Sequence, residues 1–379
     1  MKYYLIAGEA SGDLHGSNLM KGLLATDPEA VFRFRGGDLM ASVGGTLAKH
    51  YKDSDIMGFV EVLMNARRLL KDLDQCKKDI EAWQPDVLIL IDYPGFNFRM
   101  AEWAKSKNIP VFYYIAPKVW AWKERRVKRL QQFVDRLFII FPFEIDYFKK
   151  WNIDPIYKGN PLIDSVDRDP KMLEPKTDFL QRNHLSDQPG IALLAGSRRG
   201  EIKHLLPTFL QAAERIGPDY QYWLAAAPSI DDSLLQPYLD GCKVPVKILR
   251  GETYGALRHS EAAIVASGTA SLEAALIGTP QVVGYAGSAI TFAIAKLLVK
   301  LEHISLANLI LRRRAFQELI QKECTPENLA SEVHKLIHDK DYRNRMLADY
   351  AELRTMLGGQ GASEQVAAAM VQELKKLQR

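Results

Sequence analysis

A chain of 379 residues, 47% hydrophobic and 25% charged, is long enough for two domains that each bury a core, and its formal net charge of +4 is too mild for a nucleic-acid binder. Cys76, Cys242 and Cys324 lack metal-ligand or redox spacing and read as reduced core thiols. The N-terminus runs straight into a strand with no signal peptide, and the most apolar late segment, residues 286–299, is broken by Lys296 and too short to span a bilayer, so a cytoplasmic protein able to touch a membrane surface is expected.

In chain order, residues 3–7 form an apolar strand that leads through Gly8-Glu9-Ala10-Ser11-Gly12-Asp13 into a helix over about 14–24. That loop is not G-x-G-x-x-G and no acid sits where a dinucleotide ribose needs one, which disfavours a nicotinamide enzyme. Residues 31–35 are a second strand. Asp53-Ser54-Asp55 matches D-x-D, but it lies in a polar run rather than at a strand end, and no metal is expected there. Residues 59–83 carry a helical apolar stripe that includes Leu69, Leu70, Leu73, Cys76, Ile80 and Trp83. Val60 and Met64 lie off it, beside Arg67, Arg68 and Lys71. Such a face either receives acyl chains or an anionic bilayer, or is a solvated basic surface.

Residues 86–91 (DVLILI) are the clearest buried strand and end on Asp92-Tyr93-Pro94-Gly95-Phe96-Asn97. Ligands of doubly wound sheets bind outside the carboxyl ends of strands. A carboxylate there, lifted by partial burial, suits a general base. The alternative is a cap for a helix beginning near Asn97, a task Asn97 or Gly95 can also perform. Residues 111–115 form the next strand, followed by Val119-Trp120-Ala121-Trp122 and the cations Lys123, Arg125, Arg126, Lys128 and Arg129. Aromatic rings among cations fit a phosphorylated lipid better than nucleic acid, because the patch is isolated.

Residues 164–189 are polar, Pro-bearing and weakly periodic, and mark the expected domain boundary. This divides the chain into 1–165 and 166–359, with the helix at 360–379 packing back on the first domain. Strands at 191–195, 222–225 and 246–249 and a helix over 201–216 follow. The first of these ends on Gly196-Ser197-Arg198, where small residues allow close approach and Arg offers a planar fork to phosphate, the plainer alternative being a solvent-exposed arginine in a loop. Residues 262–285 read as a further βαβ unit. Its turn, Ser267-Gly268-Thr269-Ala270, opens a helix whose first amides favour a pyrophosphate, and Glu273 one turn in suits a ribose diol. The plainer alternative is an ordinary turn with a surface Glu. Asn308, among apolar residues, either meets a ligand or caps a helix. His15, His204 and His259 stand alone and read as structural. The expected fold class is α/β, with two Rossmann-like doubly wound domains facing across a cleft.

Taken together, Gly8 to Asp13, Met57-Gly58-Phe59-Val60-Glu61-Val62, Ile91 to Asn97, Val119 to Trp122, Gly196-Ser197-Arg198, Ala266-Ser267-Gly268-Thr269-Ala270 and Asn308-Leu309 resemble, in order, the motifs of the lipid-A-disaccharide synthase family. The resemblance covers nearly the whole chain. It implies a GT-B glycosyltransferase that joins UDP-2,3-diacylglucosamine to 2,3-diacylglucosamine 1-phosphate and releases UDP. It also implies inversion, no cofactor or obligatory metal, and peripheral association with the inner face of the inner membrane of a Gram-negative bacterium. By that resemblance Asp92 is the base, and Ser197, Arg198, Glu273 and Asn308, with Gly196, Gly268, Thr269 and Ala270 around them, hold UDP. Glu9, Ser11, Gly12, Asn97 and Trp120 belong to the acceptor side, and Val60, Met64, Arg67, Arg68 and Lys71 to the acyl or membrane surface. Lys118, Asn160, Ala195 and Ala307 depart from the family's usual residues. A homodimer is compatible with the chain. Two rivals are a UDP-sugar 2-epimerase of the same fold and a membrane-surface protein that binds a nucleotide-sugar lipid without turning it over.

Overall fold

The computed structural model describes residues 1–54, 66–119, 126–287 and 303–378. Val60, Met64, Glu61, Asp55, Trp120 and Trp122 lie outside these. The chain forms two compact units, Met1–Pro161 with Gly358–Arg379, and Leu162–Leu357.

In the first unit seven parallel strands lie in the order β3-β2-β1-β4-β5-β6-β7. They are β1 (Lys2–Ala7), β2 (Val31–Gly36), β3 (Thr46–His50), β4 (Val87–Ile91), β5 (Val111–Tyr114), β6 (Arg136–Ile139) and β7 (Ile156–Tyr157). The central strands are apolar on both faces because helices cover both, as a parallel sheet requires. Every residue of β4 and β5 is 0% exposed. Tyrosines survive in this core because their hydroxyls reach partners at its rim: Tyr3 donates to Asp27 at 3.0 Å and Tyr4 to Asp79 at 2.7 Å. Helix α1 (Ala10–Thr26) begins four residues before the expected start and packs against α16 (Ala362–Leu377). An ideal Cβ on Gly22 would lie 2.9 Å from the Ala367 Cβ and 3.0 Å from the Ser363 carbonyl oxygen, so only glycine allows this approach.

The second unit repeats the plan with six parallel strands in the order β10-β9-β8-β11-β12-β13. They are β8 (Gly190–Leu194), β9 (Gln221–Ala226), β10 (Val246–Arg250), β11 (Ser260–Ala266), β12 (Gln281–Tyr285) and β13 (Glu318–Ile320). Both sheets therefore reverse direction of growth beside their first strand, β1/β4 in one and β8/β11 in the other. At such a point the loops diverge and leave a crevice.

Two expectations need correction. Residues 164–189 are not a bare connector: they include α8 (Lys176–Arg182), whose Phe179 is 0% exposed and packs edge-on to Trp223 at 5.6 Å. Leu70, placed on the apolar stripe of α3 (Ala66–Trp83), is 62% exposed, while Leu73, Cys76 and Ile80 are buried. Cys76 and Cys324 are buried thiols and Cys242 is half-buried; burial pushes Cys324 up to about 11. Among the described residues no helix is long and apolar enough to cross a membrane.

Candidate active site

The loops after β1 and β4 flank the first unit's reversal point. Asp92 (φ 42°) and Tyr93 (φ 47°) both adopt left-handed backbone, as does Ile115 (φ 62°) directly after β5. None is glycine, and a β-branched residue there is a true outlier. Strain of roughly 1–3 kcal/mol per residue persists only where neighbours hold it, and it collects at functional sites. The holders are visible. The Asp92 carbonyl accepts from the Tyr113 hydroxyl at 2.6 Å and from Asn97 Nδ2 at 2.8 Å. The Tyr93 ring fills the space over Gly8, where an ideal Cβ would lie 2.3 Å from it.

This geometry answers the capping alternative. Helix α4 (Pro94–Ser106) starts at Pro94, its cap position is Tyr93, and no side chain caps it. Asn97 sits inside the helix, 0% exposed, fastening the strand-end carbonyls of Ile91 and Asp92. The half-buried Asp92 carboxyl is pushed up to about 6, first by burial and then by the negative charge of Glu9, against the pull of Lys118 and the Tyr93 N–H. Glu9 in turn accepts from the Ser11 hydroxyl at 2.9 Å. Gly12 is buried against Ala7, and next to it the buried Asp13 accepts from the amides of Gly37, Leu39 and Met40, which pins the loop after β2. His15, on the same helix, is lowered to about 4 by burial and so is neutral at pH 7, as a structural histidine is.

In the second unit the loops after β8 and β11 flank the corresponding point. Gly196 (φ 110°) turns the chain so that the Glu201 carboxylate occupies the space where a Cβ would stand. Glu201 Oε2 accepts from the amides of Ser197 and Arg198 at 2.9 and 3.2 Å, in the first turn of α9 (Arg199–Ile216). The Arg198 guanidinium is largely exposed and stands 3.4 Å from Glu201 Oε1. Gly268 (φ 152°) opens α12 (Thr269–Ile277) beside Ala270, with exposed Gly268 and Thr269 facing open space. Glu273 is not a surface glutamate: its carboxyl is raised by burial, and Oε1 accepts from the Tyr254 hydroxyl at 3.0 Å.

Asn308 neither caps a helix nor faces open space. It is 0% exposed inside α13 (Leu306–Leu311), where Oδ1 accepts from the amides of Ala315 and Phe316 and Nδ2 donates to the Phe316 carbonyl at 3.1 Å. Its amide shapes the turn at 315–316. Arg67, Arg68 and Lys71 are exposed around Leu70 at the start of α3. Sequence reasoning missed Tyr113, Glu201 and Tyr254 as supports. The only advance signal was for Glu201, an acid in the first turn of a helix. Among the described residues no cluster of three or more ligating side chains is arranged for a metal.

The family described as "Lipid-A-disaccharide synthetase" matches residues 3–372. Proteins named lipid-A-disaccharide synthase are similar over almost the whole chain. The one from Trichlorobacter lovleyi is 37% identical over 366 residues, 96% of this chain and 95% of that one. The one from Myxococcus xanthus is 38% identical over 374 residues, 98% and 97% of the two chains. Among solved structures, a putative UDP-N-acetylglucosamine 2-epimerase from Listeria monocytogenes aligns with a TM-score of 0.70 at 14% identity, covering 100% of this chain and 97% of that one. The calicheamicin glycosyltransferase CalG4 aligns with a TM-score of 0.59 at 15% identity, covering 99% and 98%. At such identities these two share the GT-B fold and nothing more, whereas the sequence relatives agree in one activity. The chain thus belongs to the lipid-A-disaccharide synthetase family and is an enzyme, a glycosyltransferase of lipid A biosynthesis.

Proposed function

We propose that this chain transfers 2,3-diacylglucosamine from its UDP derivative to the 6-hydroxyl of 2,3-diacylglucosamine 1-phosphate (lipid X). The products are the β(1→6) disaccharide 1-phosphate and UDP. The observation that carries the reading is Asp92, a carboxyl tuned to about 6 in a strained turn at the carboxyl end of a central strand. As a general base it takes the proton from the acceptor hydroxyl while the new C1–O bond forms and the bond to the diphosphate breaks. One displacement inverts the anomeric centre. The loops of the second unit hold the donor: Arg198 exchanges its Glu201 contact for the diphosphate, the amides at Gly268, Thr269 and Ala270 add donors, and Glu273 takes the ribose diol. Negative charge grows on the departing diphosphate, so these groups favour the transition state over the ground state. Asn308 acts indirectly, through the turn it holds. Exposed Leu70 among Arg67, Arg68 and Lys71 supports peripheral contact with an anionic bilayer, on its cytoplasmic face.

The test is incubation with both diacylated substrates, following UDP release and disaccharide. Asp92→Ala should abolish product yet still bind UDP; retention of most of the rate removes Asp92 as base. Arg198→Ala should raise the donor KM and lower kcat, and an unchanged profile excludes it from the donor site.

A further inference from the structure

Helix α4 and the short helix α5 (Val127–Phe133) bring three arginines together on the first unit. The buried Phe98 ring is the platform for two of them. The Arg129 guanidinium carbon lies 5.1 Å from its centroid and that of Arg126 lies 6.0 Å from it, so the two cations share one ring. Arg129 also donates to the Phe98 carbonyl at 3.2 Å and pairs with Glu102 at 2.8 Å. Arg99, the next residue on α4, is exposed and reaches back to the Gly95 carbonyl at 2.7 Å. Arg126 is lowered from its ordinary value by burial and then by the positive charges of Arg129 and Arg99, the pattern of like charges held close. Arg126 is half-buried while Arg99 is exposed and Arg129 shares its charge with Glu102, so the place stays cationic on balance, and an anion bound beside Arg126 offsets the repulsion from the other two.

The cluster adjoins the catalytic end of the sheet. The charge of Arg126 acts on the Tyr113 hydroxyl, and that hydroxyl is the donor to the Asp92 carbonyl. A ligand held at both places carries a nucleophilic hydroxyl at one end and an anion at the other. Planar forks match tetrahedral oxyanions with parallel N–H bonds, and several of them suit a dianion better than a monoanionic diester.

We propose that Arg126, with Arg99 and Arg129, is the recognition site for the phosphomonoester of the acceptor sugar. This rests on the acceptor reading given above and adds the residues that read its phosphate.

The experiment is steady-state kinetics of the intact protein with two acceptors, the diacylglucosamine 1-phosphate and the same lipid with a free 1-hydroxyl. The wild type should prefer the phosphorylated acceptor. Arg126→Gln should lower kcat/KM for it by roughly 10- to 100-fold, the scale of a lost charge-assisted hydrogen bond, and leave the 1-hydroxy acceptor within about 2-fold. Arg99→Gln, at an exposed position, should erode the same preference more weakly. An equal fall on both acceptors, or no fall on either, overturns the assignment. Flotation with phosphatidylglycerol and phosphatidylcholine vesicles separates the other source of phosphate. If Arg126→Gln loses anionic vesicles while acceptor preference stands, the cluster reads a bilayer headgroup and the proposal fails. If the wild type forms no disaccharide, the acceptor reading itself has failed. Calorimetric titration with glucosamine 1-phosphate then still decides the cluster: binding lost in Arg126→Gln supports it, and binding equal in both proteins overturns it.

Discussion

The Asp92 carboxyl, pushed up to about 6 by burial and by Glu9, holds a proton more tightly in the folded chain than in the unfolded one. A general base must be ionised, so kcat/KM should fall about tenfold per pH unit below pH 6 and level off above it. Glu9→Gln removes the second cause of the shift and should move that acid limb to lower pH; an unmoved limb would detach Glu9 from the base. Stability runs the other way. Below about pH 4, the ordinary value, Asp92 is protonated in both states and carries no penalty. Between 4 and 6 the native state binds more protons than the unfolded one, so stability is lost as pH rises, by ~1–3 kcal/mol in all. Asp92→Asn should therefore melt higher than wild type at pH 8, with the gain vanishing near pH 4. Equal melting temperatures at pH 8 would contradict this.

At the scale of elements, α1 and α16 meet through a glycine. Gly22→Leu places a side chain where the Ala367 methyl and the Ser363 carbonyl already stand. Overpacking of this kind costs roughly 1–3 kcal/mol, and a chemical-denaturation midpoint equal to wild type would show that the two helices separate freely. Phe179→Ala should cost about 3–5 kcal/mol by emptying a ring-sized space beside Trp223, a loss no connector residue would produce. These two sites also mark where sequence stops being legible. The buried strands β1, β4, β8 and β11 announce themselves as unbroken apolar runs, and the loops after them as small-residue or acidic breaks, so the strands that frame both candidate sites could be read directly. Phe179 could not, because one apolar ring in a polar segment has no period. Asn308 could not either: its partners are backbone groups seven and eight residues on, and composition does not say which way an amide points. The edge strand β3, with no buried residue and no alternation, and the three-residue β13 carry too little pattern to separate from loop.

The two units share one strand order, and that order could not be read from apolar runs, since a run fixes a strand but not its neighbours. On the proposed function it divides the labour: the acceptor goes to the loops after β1 and β4, which carry Glu9, Asp92 and Tyr93, and the donor to the loops after β8 and β11, which carry Arg198 and Gly268, with Glu273 in the helix that follows. If UDP belongs to the second unit alone, its binding free energy stabilises only the unit that contains its contacts. At about 100 times its dissociation constant that amounts to ~2.7 kcal/mol, or about a hundredfold in any exchange that requires this unit to open. Hydrogen exchange followed by mass spectrometry should then show UDP slowing amides within Leu162–Leu357, most of all near Ser197 and Thr269, while the strands of Met1–Pro161 exchange as before. The acceptor lipid should give the converse pattern. Protection by UDP centred on the loops after β1 and β4 would reverse the assignment of donor and acceptor, and with it the role of Asp92, because a base must stand beside the incoming hydroxyl and not beside the departing nucleotide.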